Sequence, residues 1–198
     1  IEEPDTRLAD RSGPKRILII GGSQGAAALN KIVPSAIEIL SASMPIEVWH
    51  QTGKGRMQDV VMAYQKFTSE VRVSEFVDDM AEAYRWADLI ICRSGAITLA
   101  EIAAVGLASV LVPYPYAVDD HQTSNAQSFV TAGAASLVVE SDLNASNLAE
   151  LITKLLNDSK QLVSMACAAK KLGTGNASQK IADECMLLGG LTAVAGTA

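Results

Sequence analysis

Short apolar runs alternate with longer amphipathic or alanine-rich segments along most of the chain. The apolar runs are rich in Val, Ile and Leu, which is typical of the buried strands of a parallel sheet. They predict strands at 16–21, 46–51, 71–76, 88–93, 109–114 and 135–140. The remaining periodic segments predict helices at 26–41, 55–67, 79–86, 98–105, 122–132, 144–157, 160–172 and 177–188.

This order of strands and helices predicts the fold class. Strands that alternate with helices form right-handed crossovers. We therefore expect an α/β fold with a doubly wound, mostly parallel, six-stranded Rossmann-like sheet. Residues 16–188 are expected to form this domain, residues 1–15 a polar linker or arm, and residues 189–198 a flexible tail. Ligands of such sheets bind beyond the carboxyl ends of the strands.

Composition excludes several functional classes. With 49% hydrophobic and 19% charged residues, the 198-residue chain is expected to fold around a core. Its net charge of −6 argues against sequence-independent binding to nucleic acid, which needs a basic surface. No apolar run reaches the ~18 residues of a membrane-spanning helix, and no signal peptide is evident.

The cysteines and the first residue bear on location and completeness. The three cysteines are too far apart for a CxxC pair and suggest neither a disulfide framework nor a zinc site; they are Cys92, Cys167 and Cys185. A reducing cytoplasm is therefore expected. Because the chain begins at Ile1 rather than Met, we expect a fragment or a processed piece.

The segment "GGSQGA" follows the first predicted strand and opens a helix. Its glycines allow a tight turn, and the helix N-terminus offers N–H groups and partial positive charge to an anion. No Lys-Ser/Thr pair follows, so a Walker loop is excluded. A dinucleotide site is disfavoured because Ser23 replaces its second glycine and the second strand ends in Gln51, not in an acid. A plain strand–helix turn remains the alternative.

A second turn of the same kind lies in "CRSGAITLAEIAAVG". A buried strand ends at Arg93, and the helix is predicted to begin near Ile97 or Thr98. Its first amides could hold another phosphate oxygen. Glu101, one turn further on, could accept hydrogen bonds from a ribose diol, or it could be a solvated helix residue. Arg93 could be a phosphate contact or a structural ion pair.

A third polar cluster begins the helix in "VPYPYAVDDHQTSNAQSF". Gln122 and Asn125 share one helix face, and amides suit sugar hydroxyls because they both donate and accept. Helix capping by Asp120 is the alternative. Asp119, Asp120 and His121 could suggest a metal, but no companion His or Cys cluster supports one, so we expect none.

Taken together, "GGSQGA", "WHQTGKG", "EFVDDMAEAYRWADLIICRSGAITLAEIAAVG" and "DDHQTSNA" closely resemble the C-terminal, donor-binding domain of the MurG family. These are bacterial transferases that use UDP-N-acetylglucosamine (UDP-GlcNAc) to convert lipid I to lipid II in peptidoglycan synthesis. The resemblance covers about residues 16–188. It implies the C-terminal half of a GT-B glycosyltransferase, inverting transfer without a required cofactor or metal, and peripheral association with the cytoplasmic face of the inner membrane.

The resemblance also implies a division of labour. The family's N-terminal domain holds the lipid I acceptor, a membrane-facing patch and a glycine-rich loop with the proposed catalytic histidine. No "GGTGGH"-like stretch occurs in these residues, so we expect no catalytic base in this chain. We expect the chain to be inactive alone.

Carried over motif by motif, the resemblance implies a set of donor-binding residues. Ser23 would contact the diphosphate, and Val77 would present its backbone to uracil. The helix start at 96–98 would face the phosphates, Glu101 the ribose hydroxyls and Gln122 the GlcNAc hydroxyls. The full set is Ser23, Val77, Ala96, Ile97, Thr98, Leu99, Ala100, Glu101 and Gln122, with Gly22, Gln24, Arg93, His121 and Asn125 as candidate neighbours.

Three alternatives stay open from the sequence. The first is a standalone nucleotide-sugar-binding subunit that needs a separate membrane-bound acceptor subunit. The second is an NAD-dependent oxidoreductase, which Ser23 and the missing acid at the end of the second strand disfavour. The third is a UDP-GlcNAc epimerase, whose acid–base residues are not evident here.

Overall fold

A six-stranded sheet forms the centre of the computed structural model, which describes residues 3–9, 11–22, 25–67, 70–117 and 120–173. The strands are β1 (Lys15–Ile20), β2 (Ile46–Gln51), β3 (Val71–Ser74), β4 (Leu89–Cys92), β5 (Ala108–Leu111) and β6 (Ala135–Leu137). Their order is β3-β2-β1-β4-β5-β6, and every pairing is parallel. The predicted α/β class and six-stranded sheet are confirmed.

Helices cover both faces of this sheet. They are α1 (Pro4–Ala9), α2 (Ala27–Ser41), α3 (Met57–Ala63), α4 (Met80–Trp86), α5 (Ala96–Val105), α6 (His121–Thr131), α7 (Ala145–Asn157) and α8 (Ser159–Gly173). A short 3₁₀ helix spans Glu140–Asp142. The predicted helix at 177–188 and the tail at 189–198 lie outside the described residues.

The alternation of side chains along β1 explains the two layers. Ile17 and Ile19 pack in one cluster with residues of α2, α3 and α7. Leu18 and Ile20 point to the other face and pack with residues of α4, α5 and α6. α8 contributes to both clusters. Because strand side chains alternate between faces, a continuous apolar run is what a sheet covered on both sides requires.

The N-terminal segment is attached to the domain through arginines. The pattern predicts no helix there, yet α1 forms and Arg7 is buried. The Arg7 guanidinium donates to the backbone carbonyls of Tyr84 at 3.0 Å and Gly106 at 2.6 Å. Arg11 forms an ion pair with Asp88 at 3.1 Å. These contacts fix the segment against the C-terminal end of α4.

Several strands end earlier than their apolar runs. β5 ends at Leu111, shortly before Pro113, which has no N–H group to donate to a neighbouring strand. β6 ends at Leu137, and the chain then enters the 3₁₀ helix. Among the described residues, no helix is both long enough and apolar enough to span a bilayer.

The strand order creates a switch point at β1. From β1 the chain moves outward to β2 and β3 on one side, and β4, β5 and β6 follow on the other. The loops that leave β1 and β4 therefore diverge to opposite faces of the sheet and leave a crevice between them. Open α/β sheets bind ligands at this position.

Candidate functional site

A cleft of about 640 Å³ lies at the carboxyl ends of β1 and β4. Its volume falls in the range of small-molecule sites, about 300–1,000 Å³. The turn after β1 and the start of α2 form one wall, and the start of α5 forms another. Tyr114, Tyr116 and Gln122 line it from the loop after β5 and from α6. The cleft therefore lies at the switch point of the sheet.

The glycine turn is packed against the end of β2. Gly25 has a left-handed φ of 71°, and a Cβ there would overlap the carbonyl oxygen of Thr52, so no other residue fits without displacing this backbone. The buried Gln51 side chain accepts from the N–H of Gly21 at 3.1 Å and donates to the carbonyl of Gly22 at 2.9 Å. Gln51 thus tethers the turn. The sequence motif WHQTGKG includes this residue but does not reveal the tether.

At two helices beside the cleft, the N-cap residue provides no side-chain hydrogen bond to the helix N-terminus. The N-cap residues of α2 and α5 are Ala26 and Gly95, and neither helix has an acid in its first turn. By contrast, Asp79 caps α4 at 2.9 Å and Asn144 caps α7 at 2.9 Å. The first N–H groups of α2 and α5 therefore keep their positive partial charge available beside the cleft. This arrangement suits an anion such as a phosphate.

The charged side chains give the cleft a net positive charge. Arg93 forms an ion pair with Glu140, and its guanidinium donates to the carbonyls of Val112 at 3.1 Å and Pro113 at 3.0 Å. Arg93 is thus a structural pair, but its side chain also lines the cleft. Arg56 also lines the cleft, is exposed, and forms no ion pair with a described residue. The sequence analysis did not identify Arg56.

Hydrogen bonds fix the start of α6 to the turn after β4. The Gln122 side-chain oxygen accepts from the N–H of Tyr114 at 3.0 Å, and its backbone carbonyl accepts from the Ser94 hydroxyl at 2.8 Å. The Asn125 amide donates to the Ser94 carbonyl at 3.2 Å. The Gln122 Nε2 group makes no hydrogen bond to a described residue, so it can donate to a ligand in the cleft. His121 is exposed at the first position of the helix.

Asp120 does not cap α6. It occupies the N-cap position with a left-handed φ of 50°, but its carboxylate accepts from the Thr123 hydroxyl at 2.6 Å rather than from a backbone N–H. Asp119 lies outside the described residues. Within the described part of the chain, no group of three His, Cys, Asp or Glu side chains is placed to hold a metal ion.

The candidate residues divide between the cleft and a second groove. Gly22, Arg93, Thr98 and Gln122 line the cleft. A groove of about 340 Å³ between α5, α6 and α8 is lined by Ala96, Leu99, Ala100 and Asn125 among others. Val77, Ile97, Glu101 and His121 line neither space. Ser23 and Gln24 lie outside the described residues.

Glu101 is exposed on α5 and has a partner from α4. The buried Tyr84 hydroxyl donates to its Oε2 atom at 2.8 Å. Val77, half-buried, precedes α4 on the same side of the sheet and packs against the same hydrophobic cluster as Tyr84. Sequence reasoning identified Glu101 and Val77 but not the tyrosine.

His50 lies beneath the glycine turn and is fully buried. Its Nδ1 is 3.0 Å from the Tyr64 hydroxyl, and its Nε2 is 3.1 Å from the Asn30 side-chain oxygen. The Asn30 amide donates to the Thr52 carbonyl at 2.9 Å. Burial lowers the pKa of His50 to about 3, because the charged ring would lose its hydration. A buried, neutral ring without access to the cleft cannot serve as a catalytic base there.

The match to known proteins includes the residues that form the cleft. Residues 16–184 match the glycosyltransferase family 28 C-terminal domain. A UDP-N-acetylglucosamine--N-acetylmuramyl-(pentapeptide) pyrophosphoryl-undecaprenol N-acetylglucosamine transferase of Nitrosococcus oceani is 45% identical over 94% of this chain and 52% of its own length. The transferase of the same name from Aeromonas hydrophila is 46% identical over 93% of this chain and 51% of its own length.

A solved structure confirms the fold that the resemblance implies. The crystal structure of Acinetobacter baumannii MurG superimposes with a TM-score of 0.84 at 37% identity, covering 92% of this chain and 52% of that one. The chain thus spans about half the length of the curated relatives it matches.

Proposed function

Because the chain belongs to glycosyltransferase family 28, whose C-terminal domain it matches over residues 16–184, we propose that it is the donor-binding half of a UDP-GlcNAc-dependent transferase. In this proposal the complete enzyme transfers GlcNAc to lipid I and so forms lipid II for peptidoglycan. The observation that carries the proposal is the cleft between two uncapped helix N-termini at the switch point of the sheet.

The cleft suits a nucleoside diphosphate electrostatically. Each helix N-terminus stabilises a nearby anion by about 0.3–1 kcal/mol when exposed and up to ~2 kcal/mol when partly buried. Arg56 adds a full positive charge that no ion pair with a described residue cancels. In a chain of net charge −6, this local positive field is what attracts a diphosphate.

The same groups support an inverting displacement. A hydroxyl of the acceptor attacks the anomeric carbon and gives its proton to a base in the other half of the enzyme, while the bond to the diphosphate breaks and UDP departs with the electron pair. Negative charge then develops on the diphosphate, where fixed N–H dipoles stabilise it without reorganisation. The N-termini of α2 and α5 fill this role, so the step demands no metal.

We assign the parts of the donor to the candidate residues as the resemblance implies. Gln122 donates its amide to the GlcNAc hydroxyls, Glu101 accepts from the ribose diol, and the Val77 backbone meets the uracil ring. The α5 start at Ala96, Ile97 and Thr98, together with Ser23, faces the phosphates, and Leu99 and Ala100 flank the nucleotide. Of these residues Gln122 and Thr98 line the cleft, which supports their place beside the sugar and the phosphates.

The acceptor side is assigned to a domain outside these residues. Relatives about twice as long as this chain favour a single polypeptide carrying both halves over a separate acceptor subunit. We place the catalytic base, the lipid I site and peripheral contact with the cytoplasmic face of the inner membrane in that other half. A reading frame that extends about 150 residues upstream of Ile1, the size of one domain, would agree with this.

Titration calorimetry of the chain with UDP and UDP-GlcNAc tests donor binding directly. Both ligands should bind at one site, and Glu150→Ala, an exposed change on α7 remote from the cleft, should bind them equally. A chain with native circular dichroism that binds neither ligand refutes the proposal. Tight binding of NADH would favour an oxidoreductase instead.

A turnover assay tests the division of labour. With lipid I and UDP-GlcNAc supplied, the chain alone should form no lipid II. Formation of lipid II by the isolated chain would show that the catalytic base lies within it and would overturn that assignment.

A further inference from the structure

A buried tyrosine is hydrogen-bonded to the exposed carboxylate on α5. Tyr84 is 3% exposed, and its ring packs in the cluster formed by α4, α5 and one face of the sheet. Its hydroxyl donates to Glu101 Oε2 at 2.8 Å. Its backbone carbonyl accepts from the buried Arg7 guanidinium at 3.0 Å. The hydroxyl is therefore held at a fixed point beneath Glu101.

The Tyr84 hydroxyl is a donor under all ordinary conditions. Burial raises the pKa of Tyr84 far above its usual range, and the hydrogen bond to the Glu101 carboxylate raises it further. The phenol thus stays protonated. Because a carboxylate can only accept, the direction of the hydrogen bond is fixed from tyrosine to glutamate.

This bond restricts a side chain that would otherwise rotate freely. An exposed glutamate has many rotamers, and ordering such a side chain on ligand binding reduces affinity. With Oε2 anchored by Tyr84, the carboxylate plane is set before a ligand arrives. Oε1 and the second lone pair of Oε2 remain for other donors, which matches the two hydroxyls of a vicinal diol.

The position of Glu101 fits a ribose next to a diphosphate. Glu101 lies five residues after Ala96, about 7.5 Å along the helix at 1.5 Å per residue. If the nucleoside of a diphosphate bound at the start of α5 extends along this helix, its ribose, the first group after the phosphates, reaches the turn that carries Glu101. The anchored carboxylate would lie in its path.

We propose that Tyr84 is a positioning residue that orients the Glu101 carboxylate to accept two hydrogen bonds from the cis-diol of a ribonucleotide. The inference rests on the proposed function and extends it to a residue that does not touch the ligand. It predicts that Tyr84 contributes to selectivity for nucleotides with a diol, and not to binding of the diphosphate.

Calorimetry with UDP and 2′,3′-dideoxy-UDP tests this selectivity. The wild type should bind UDP more tightly than the dideoxy nucleotide. Tyr84→Phe removes only the hydroxyl, and it should weaken UDP by about two- to tenfold, the range expected for ordering one flexible side chain. Its affinity for dideoxy-UDP should stay unchanged. Glu101→Ala should remove the selectivity, and adding Tyr84→Phe to it should change nothing more.

Tyr64→Phe is the matched control. It also deletes a buried tyrosine hydroxyl, one bonded to His50 instead, and should leave the ratio of the two affinities at the wild-type value. An unchanged ratio in Tyr84→Phe, or an equal loss for both nucleotides, overturns the inference while leaving the proposed function intact. Failure of the wild type to bind UDP removes the proposed function and the inference together.

Discussion

Acidification should destabilise the domain through His50, and the hydrogen bonds around this ring explain why. The Asn30 amide donates to the Thr52 carbonyl, so the Asn30 oxygen faces the histidine as an acceptor. Nε2 of His50 is then the protonated nitrogen, and Nδ1 accepts from the Tyr64 hydroxyl. A second proton on Nδ1 would prevent this nitrogen from accepting the hydrogen bond of the Tyr64 hydroxyl. The pairing partners of His50 on the flanking strands, Ile19 and Val73, offer no negative charge to stabilise it.

The size of the effect follows from the pKa of His50. It is about 6.5 in the unfolded chain, and burial lowers it to about 3 in the folded one. Between these values the unfolded state binds more protons than the native state, so stability falls as pH falls. The contribution of neutral His50 to the free energy of unfolding is fully present above pH 6.5. Below that pH it declines by about 1.4 kcal/mol per pH unit. Between pH 8 and pH 5 the loss is about 2 kcal/mol.

Urea unfolding at pH 8 and pH 5 measures this loss. Carboxylates also titrate, so the wild type is compared with His50→Gln, which keeps a donor and an acceptor but cannot be charged. The wild type should lose about 2 kcal/mol more than this variant over the interval. Equal losses in the wild type and His50→Gln would refute the reasoning.

Further substitutions test the proposed donor site and the turn beside it. Glu101→Ala should weaken UDP binding by about 1–3 kcal/mol in calorimetry, as loss of a charged acceptor does, whereas Glu150→Ala should not. Gln122→Ala should weaken UDP-GlcNAc and spare UDP, and equal losses for both ligands would place Gln122 away from the sugar. Gly25→Ala should lower stability to urea more than Gly22→Ala: both have positive φ, but only at Gly25 would a Cβ overlap the backbone. Similar losses would contradict that close approach.

The sheet was predictable because its central strands, β2, β1, β4 and β5, are largely buried. Residues 17–20 are apolar without interruption, and such a run predicts a strand without knowledge of its partners. Strand ends were less predictable. The run at 135–140 looks like the others, but β6, which lies at the edge of the described sheet and pairs with β5, ends at Leu137, and position 140 already belongs to the 3₁₀ helix. Local pattern cannot show where pairing stops.

The candidate site was likewise predictable only in part. Glycine turns and helix starts can be recognised from adjacent residues, so the walls of the cleft follow from "GGSQGA" and "RSGAITLAE". Contacts between residues that are far apart in the sequence cannot be recognised from neighbouring residues. Gln51 meets Gly21 across 30 positions, and Tyr84 meets Glu101 across 17. Arg56 reaches the cleft from the loop before α3, and no motif marks it.

The tether at Gln51 shows how the anion site depends on residues that never touch the anion. A diphosphate held by N–H groups requires a backbone that does not move when the charge shifts. Glycine allows the backbone conformation of the turn, but it also makes the turn flexible. The two Gln51 hydrogen bonds restrict the backbone at Gly21 and Gly22, and the packing on Thr52 restricts it at Gly25. An acid at position 51 could not donate to the Gly22 carbonyl. The residue that argues against a dinucleotide site is therefore the one that tethers the turn at Gly21 and Gly22.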